Sequence, residues 1–285
     1  MPAPTRLALV TEAAEAAEAD IDVDFTALAL AALDDAEPGI RVRGIQALWE
    51  SESPTVGARL KELLLAEADD NVRAGAAGGL RRFVLLGELG RLSSSQVTPI
   101  LEALRAAVSD ANESVDVRGR AVESLGPSTT AWAATLISDA YYDDDPRLRL
   151  AGVRAMGHSA DERWLELLTD EAESDDPAFR FEAAVALGVI GAETCLPALF
   201  GLVEDDDREV ALAAIAALAE VAGPEAIERL KELVDSGAEP FKAAAARALE
   251  IIAGDAEADD QEDDEHNGDQ DDDDDDDDDD DEDDE

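Results

Sequence analysis

Apolar residues recur along this chain at helical spacing, i, i+3, i+4 and i+7, and the strict alternation of a strand is absent. One frame returns again and again. In Asp176–Gly188 it reads acid, Pro, x, large apolar, Arg, x, x, small, x, x, small, large apolar, Gly. The same order appears at Asp145–Gly157 and, less completely, at Asp207–Leu218. Aligned on the large apolar residue behind the acid-Pro-x turn, the frames fall at Ile40, Val72, Val117, Leu148, Phe179, Val210 and Phe241. Their separations are 32, 45, 31, 31, 31 and 31 residues. A fixed period of this size predicts a stack of similar supersecondary units.

Each unit predicts two helices. The shorter first helix is expected over Thr55–Leu65, Gln96–Ala107, Thr130–Ala140, Asp161–Leu168, Glu193–Val203 and Pro224–Val234. The second starts at the acid-Pro turn. Pro38, Pro146, Pro177 and Pro240 suit a first helical turn, where a missing N–H costs nothing. Gly126, Gly157, Gly191, Gly223 and Gly254 suit helix ends and the turns beyond. Four and seven positions past each anchor stand small residues, such as Gly152 and Ala155, Ala183 and Ala186, or Ala214 and Ala217. They share one helix face and predict close approach of a neighbour, while the large residue one position on (Met156, Leu187, Leu218) fills the layer. In this reading Gly188 loosens or ends the regular packing. A unit of this kind cannot bury its apolar face alone.

The frame resembles the HEAT repeats, in the short form called HEAT-like or phycobilisome-lyase-type. The resemblance runs over about residues 24–254 and is carried by acid-Pro-x-apolar-Arg and by the later small-x-x-small-large run. It implies an all-α fold, a right-handed α-solenoid of about seven helix pairs, whose second helices line a concave face. Residues 1–23 read as an N-terminal helix or cap, with a helix over Thr5–Ala19 and Asp24 capping the next. The 14 residues in excess of the period lie around Arg81–Ser95 and predict a lengthened second helix to about Leu86, then a loop ending on a serine N-cap.

Charge adds a second theme. The formal net charge is -49, and 24 of the 71 acids lie between Asp255 and Glu285, where there is no Lys or Arg. That segment, with eleven consecutive aspartates at 271–281, predicts a disordered tail. Residues 1–254 still hold 47 acids against 22 bases, a net of -25. Only three bases are lysine. Such a surface suits a protein kept hydrated in molar salt, which screens self-repulsion, and points to an extreme halophile as the source. A net charge of this sign argues against nucleic acid as a partner. The N-terminus has no signal-like apolar run and no stretch approaches the roughly 20 apolar residues of a membrane span, so a cytoplasmic location is expected.

Little in the sequence suggests catalysis, and no cofactor is expected. Cys195 stands alone on an amphipathic helix and reads as a small buried hydrophobe. HEAT-like hydroxylases hold iron through His-Glu pairs. Here His158 is followed by Ser159 and His266 by Asn267, so that signature is missing. The candidate binding residues are a series placed directly behind the anchors, Arg41, Arg73, Arg118, Arg149, Arg180 and Lys242. They serve either as a ladder registering each repeat on the next, with Glu37, Asp69, Asp145 and Asp176 as acids in reach, or as a basic stripe for an acidic partner or the chain's own tail. Arg43, Arg120, Arg147, Arg154 and Arg247 add bases to the same helices. One position further on, Leu150, Phe181 and Leu212 could form an apolar strip for a partner peptide. Within the unit Asp176–Gly188, Phe181 and Glu182 are the positions freest to face a partner.

The leading expectation is a non-catalytic scaffold binding a protein through the concave face. Two alternatives stand beside it. One is an accessory subunit of a lyase or modifying enzyme, as the resemblance to phycobilisome-lyase-type repeats implies. The other is a chaperone using its acidic tail to hold basic proteins.

Overall fold

The computed structural model describes residues 1–19 and 25–267. The chain opens with α1 (Ala3–Ala19), α2 (Thr26–Ala32), α3 (Pro38–Gln46), α4 (Pro54–Ala66), α5 (Asp70–Gly79) and α6 (Arg81–Glu88). Next come α7 (Ser94–Ser109), α8 (Val115–Leu125), α9 (Ala131–Tyr141) and α10 (Pro146–Ser159). The last six are α11 (Leu165–Glu171), α12 (Pro177–Ile190), α13 (Leu196–Val203), α14 (Arg208–Val221), α15 (Pro224–Ser236) and α16 (Phe241–Asn267). Short 3-10 turns at Glu162–Trp164 and Glu193–Cys195 lead into α11 and α13. The described residues contain no strand.

Seven antiparallel-type pairs account for most of this order: α2 with α3, α4 with α5, α7 with α8, α9 with α10, α11 with α12, α13 with α14 and α15 with α16. The second members pack on one another in sequence, α3 on α5 on α8 on α10 on α12 on α14 on α16. The chain is therefore an α-solenoid, in which each repeat meets its neighbours. The N-terminal helix is more than a loose cap. It joins the row of second helices by packing on α3, with Val10 against Ala32 and Ile40. A two-pronged pair from Arg6 to Asp35, at 2.6 and 2.8 Å, fastens it. Asp24 lies outside the described residues, and Phe25 precedes the first residue of α2.

Local chemistry starts the second helices as the sequence suggests. Asp69, Asp145, Asp176 and Asp207 each accept a hydrogen bond from an amide of the first turn, at 2.9–3.3 Å. Pro38, Pro146 and Pro177 occupy first-turn positions. Gly191, with φ at +68°, ends α12 in the left-handed region. Gly157 and Gly254, by contrast, lie inside α10 and α16 and end nothing. The 81–95 excess forms α6, offset from α5 by a kink at Leu80, and runs to Glu88. Ser93 then caps α7 in a reciprocal capping box with Gln96.

The small residues have the role their spacing gave them, and Gly188 needs correction. It does not loosen the stack. It is buried in mid-helix, and a methyl group there would lie 2.7 Å from the Ala217 Cβ of the next repeat. Gly157 meets Ala186 in the same way, at 2.8 Å. Neighbouring second helices approach closely enough that only hydrogen fits. The final helix brings a second correction. Residues 255–267 continue α16 rather than beginning a structureless tail. Extending a helix already nucleated in Ala243–Leu249 costs less than starting one, and Ala256, Glu257, Ala258 and Glu262 are good helix formers. Residues 268–285, with the aspartate run, lie outside the described residues.

Candidate binding groove

The arginines behind the anchors fold into the seams between repeats. The Arg41 guanidinium donates to the Asp35 carbonyl at 2.7 Å and to Glu67 Oε1 at 2.9 Å. Arg73 donates to the Glu67 carbonyl and, at 2.9 Å, to Glu113 of the following loop. Arg180 donates to the Ser174 carbonyl and grips both oxygens of Asp205, at 2.6 and 2.8 Å. Arg118 is looser, donating to the Val108 carbonyl and lying 3.8 Å from Asp143. Arg149 reaches buried Glu171, which also accepts the Tyr141 hydroxyl at 2.8 Å, and its guanidinium stacks over Phe179. Burial, then the Glu171 carboxylate, pushes the Tyr141 phenol up, so it stays a donor. The Arg180 guanidinium holds Asp205 below the usual carboxylate range. The acids are therefore those of the next repeat. Asp69, Asp145 and Asp176 cap helices instead, and Glu37 takes no part in these pairs. Lys242 remains exposed, with no ion pair among the described residues.

The open surface lies one helical face away. Two cavities of about 480 and 410 Å³ share Ala74, Gly75, Arg120, Glu123 and Arg154, and so form one continuous groove across α5, α8 and α10. Val42 of α3 bounds it on one side and Glu182 of α12 on the other. Its lining recurs at fixed register: one before the anchor (Asn71, Asp116, Arg147), two and three after (Ala74 and Gly75, Gly119 and Arg120, Leu150 and Ala151), and six after (Gly78, Glu123, Arg154). Small residues keep the floor close to the helix backbones. Leu150 is the one residue of the expected binding set on this lining. Leu150 and Phe181 are half-buried against the core, and Leu212 is half-buried on α14.

Charge in the groove runs against the rest of the chain. Arg81, Arg120, Arg147 and Arg154 line it, against Asp116, Glu123 and Glu182. Glu123 is the hub, its side chain only 8% exposed. It accepts from Arg120 at 2.8 Å and from Arg154 at 3.1 Å, and Arg154 also donates to Glu182 at 2.7 Å. Glu182 is thus engaged rather than free. Arg81, from the inserted α6, ends against the ring of His158 on α10 and meets no carboxylate among the described residues. Burial first, then the Arg81 charge, holds His158 below its ordinary pKa, so the imidazole is a neutral neighbour.

From α12 onward the same register changes character. Six and ten residues past Phe179 stand Val185 and Val189, 41% and 50% exposed, and ten past Phe241 stands Ile251, 47% exposed. Ala216 and Glu220 occupy the corresponding places on α14, both exposed. The sequence pattern had pointed to the bases Arg120, Arg147 and Arg154 but missed Arg81, Glu123 and the two valines. Their signal was available in the lattice itself, as the places where the frame demands no fixed residue type.

Cys195 is buried, its thiol directed at the Leu187 carbonyl at 3.7 Å, and burial pushes the thiol pKa up. No group of three His, Cys, Asp or Glu side chains among the described residues is arranged to hold a metal ion. No described helix is long and apolar enough to cross a membrane.

Comparison with known proteins bears on the architecture. The family described as HEAT repeats matches residues 134–199 and 165–250. No curated protein matches the chain. Among solved structures, Kap121p bound to RanGTP is 15% identical with a TM-score of 0.52, over 80% of this chain and 26% of its own. Escherichia coli YibA is 14% identical with a TM-score of 0.49, over 89% of this chain and 98% of its own. A designed armadillo repeat protein is 19% identical with a TM-score of 0.41, over 70% and 100%. The likeness to Kap121p agrees with the row of paired helices: this chain is an α-solenoid, and its residues 134–250 match the family described as HEAT repeats.

Proposed function

We propose that the chain is a non-catalytic scaffold that binds a protein partner along the concave wall of its second helices. The observation that carries this is the open groove spanning α5, α8 and α10. The core requires particular residues at the anchor and at the fourth, seventh and eighth positions after it. The groove positions carry no such requirement, yet they hold a concentrated set of arginines in a chain with only 22 bases. Kap121p, which shares the fold, was solved with RanGTP bound, which makes a protein partner a natural occupant. The arginines in the seams and the acids they grip register the repeats and belong to the scaffold rather than to the contact.

The test is photo-crosslinking from single sites in cells. A crosslinking residue at position 189 or 216, on the concave wall, is expected to give discrete protein adducts. The same residue at Leu65, exposed on the first helix α4, serves as the comparison. Adducts from Leu65 alone, or from neither wall, would overturn the reading.

A further inference from the structure

The two halves of the concave wall differ in kind, and that difference restricts what fits. The half built on α5, α8 and α10 presents the guanidinium groups of Arg81, Arg120 and Arg147 above a floor of small residues. Arg81 is the most telling, because its one hydrogen-bonding neighbour among the described residues is a neutral imidazole, which leaves its charge without a carboxylate there. The half built on α12, α14 and α16 presents Val185, Val189 and Ile251 with exposed apolar surface. Four arginines against three acids, in a chain of net charge -49, make a local inversion of sign, although Arg120 pairs with Glu123 and Arg147 with Asp145; long-range repulsion by the remaining surface penalises an acidic ligand elsewhere.

Building on the scaffold reading above, we infer that the occupant is an extended peptide segment of a partner protein, with acidic side chains at one end and large apolar ones at the other. The acidic end lies over Arg81, Arg120 and Arg147, and the apolar end over Val185 and Val189. Stacked helices sit about 9 Å apart, so three second helices span about 18 Å, or roughly five residues of extended chain in each half. Guanidinium groups pair with carboxylates bidentately, which fixes the acidic end in register. Burial of the valines and their apolar partners supplies affinity that molar salt strengthens rather than screens. The two halves together do not suit a nucleic acid, whose phosphates would continue over the apolar half without a partner.

Fluorescence anisotropy with the intact chain tests this, at the lowest salt in which circular dichroism reports it folded. The probe is a labelled peptide of six glutamates, one glycine and three leucines. The comparison peptides replace either the glutamates or the leucines with serine, and an oligothymidylate of equal charge stands for nucleic acid. The composite is expected to bind at least tenfold more tightly than either half-peptide. Joint substitution Arg81→Ser and Arg120→Ser should reduce it to the level of the serine-for-glutamate peptide. Val185→Ser with Val189→Ser should reduce it to the level of the serine-for-leucine peptide. All four side chains are exposed, so circular dichroism should report unchanged folding.

A composite no tighter than the better half-peptide overturns the proposal, as does tighter binding of the oligonucleotide. Binding seen only after removal of residues 268–285 would also overturn it, by making the chain's own acidic segment the occupant. These failures are separable from that of the scaffold reading. Concave crosslinks without composite binding would retire the peptide chemistry alone, whereas absent crosslinks would retire the scaffold.

Discussion

Repeats two to four and repeats five to seven share one backbone plan and present different side chains from it. Six residues past the anchor, the first set carries Gly78, Glu123 and Arg154, and the second carries Val185, Ala216 and Arg247. In the first set the wall is held by ion pairs that bridge α8, α10 and α12 through Glu123, Arg154 and Glu182. In the second it is held by contact, with Gly188 on Ala217 and Phe181 against the core. The lattice constrains the seam and the layer, leaving the wall free to differ. A solenoid can therefore change what it recognises without changing how it folds.

The sharpest way to break the comparison is to substitute the same register position on either side. Glu123→Ala leaves Arg154 and Arg120 without their shared carboxylate in a half-buried site. It should cost about 2 kcal/mol, less than a fully buried pair because both arginines reach solvent. Val185→Ala, in the contact-held half, should cost under about 0.5 kcal/mol. Urea unfolding midpoints measure both, and equal losses would mean that the two halves are held alike. Next in size is Gly188→Ala. The added methyl meets Ala217 at 2.7 Å, with backbone behind it, so the repeats must move apart at a cost of about 1–2 kcal/mol. Gly39→Ala meets nothing within 4 Å and provides the control.

Much of this architecture was legible in the sequence because the period repeats a steric requirement. Anchor, small, small, large is dictated by helix approach, so every repeat restates it and seven copies average out local noise. Even past the inserted helix α6, the expected serine cap is in place, as Ser93 at the start of α7. The wall was harder to read, since no two repeats agree there. Arg81 reaches His158 across 77 residues of sequence, and Glu123 becomes a hub only once α10 and α12 deliver Arg154 and Glu182 beside it. The seam arginines show the same limit. Their type and period were plain, but the acids nearest in sequence were already occupied as helix caps, and the true partners came from the following loops. Glu182 looked free for the complementary reason: its partner, Arg154, is 28 residues away.

Salt should separate the halves more gently. Raising KCl from about 0.1 to 3 M shortens the screening length from about 10 Å to less than 3 Å, which relieves self-repulsion across the whole acidic surface. The melting temperature should therefore rise for the wild-type chain. The rise should be larger for Glu123→Ala, because salt also screens the repulsion between Arg120 and Arg154 that their shared carboxylate no longer offsets. A melting temperature independent of salt would remove the argument from net charge.

The smallest effect concerns His158, the one titratable imidazole on the groove. Burial and the charges of Arg81 and Arg154 disfavour its protonation, and the Glu123 side of the site favours it less strongly, so its folded pKa lies below the ordinary 6.5. As pH falls through that ordinary value, the unfolded chain takes up the proton first. The native state is then penalised until the pH reaches the folded pKa, so stability declines over that window and is fully present above it. His158→Gln has nothing to protonate there. Between about pH 7.5 and 5.5 the wild-type melting temperature should thus fall further than the variant's, since ordinary carboxylates titrate below this range in both. Once bound in the folded chain, the same proton would sit beside Arg81 and add a further positive charge to the basic half alone. Affinity for an acidic peptide should then rise only as the pH falls towards the folded pKa of His158, while the serine-for-glutamate peptide shows no change. A pH response shared by both peptides would place the titrating group outside the basic half, and the contrast between the two halves would lose its electrostatic support.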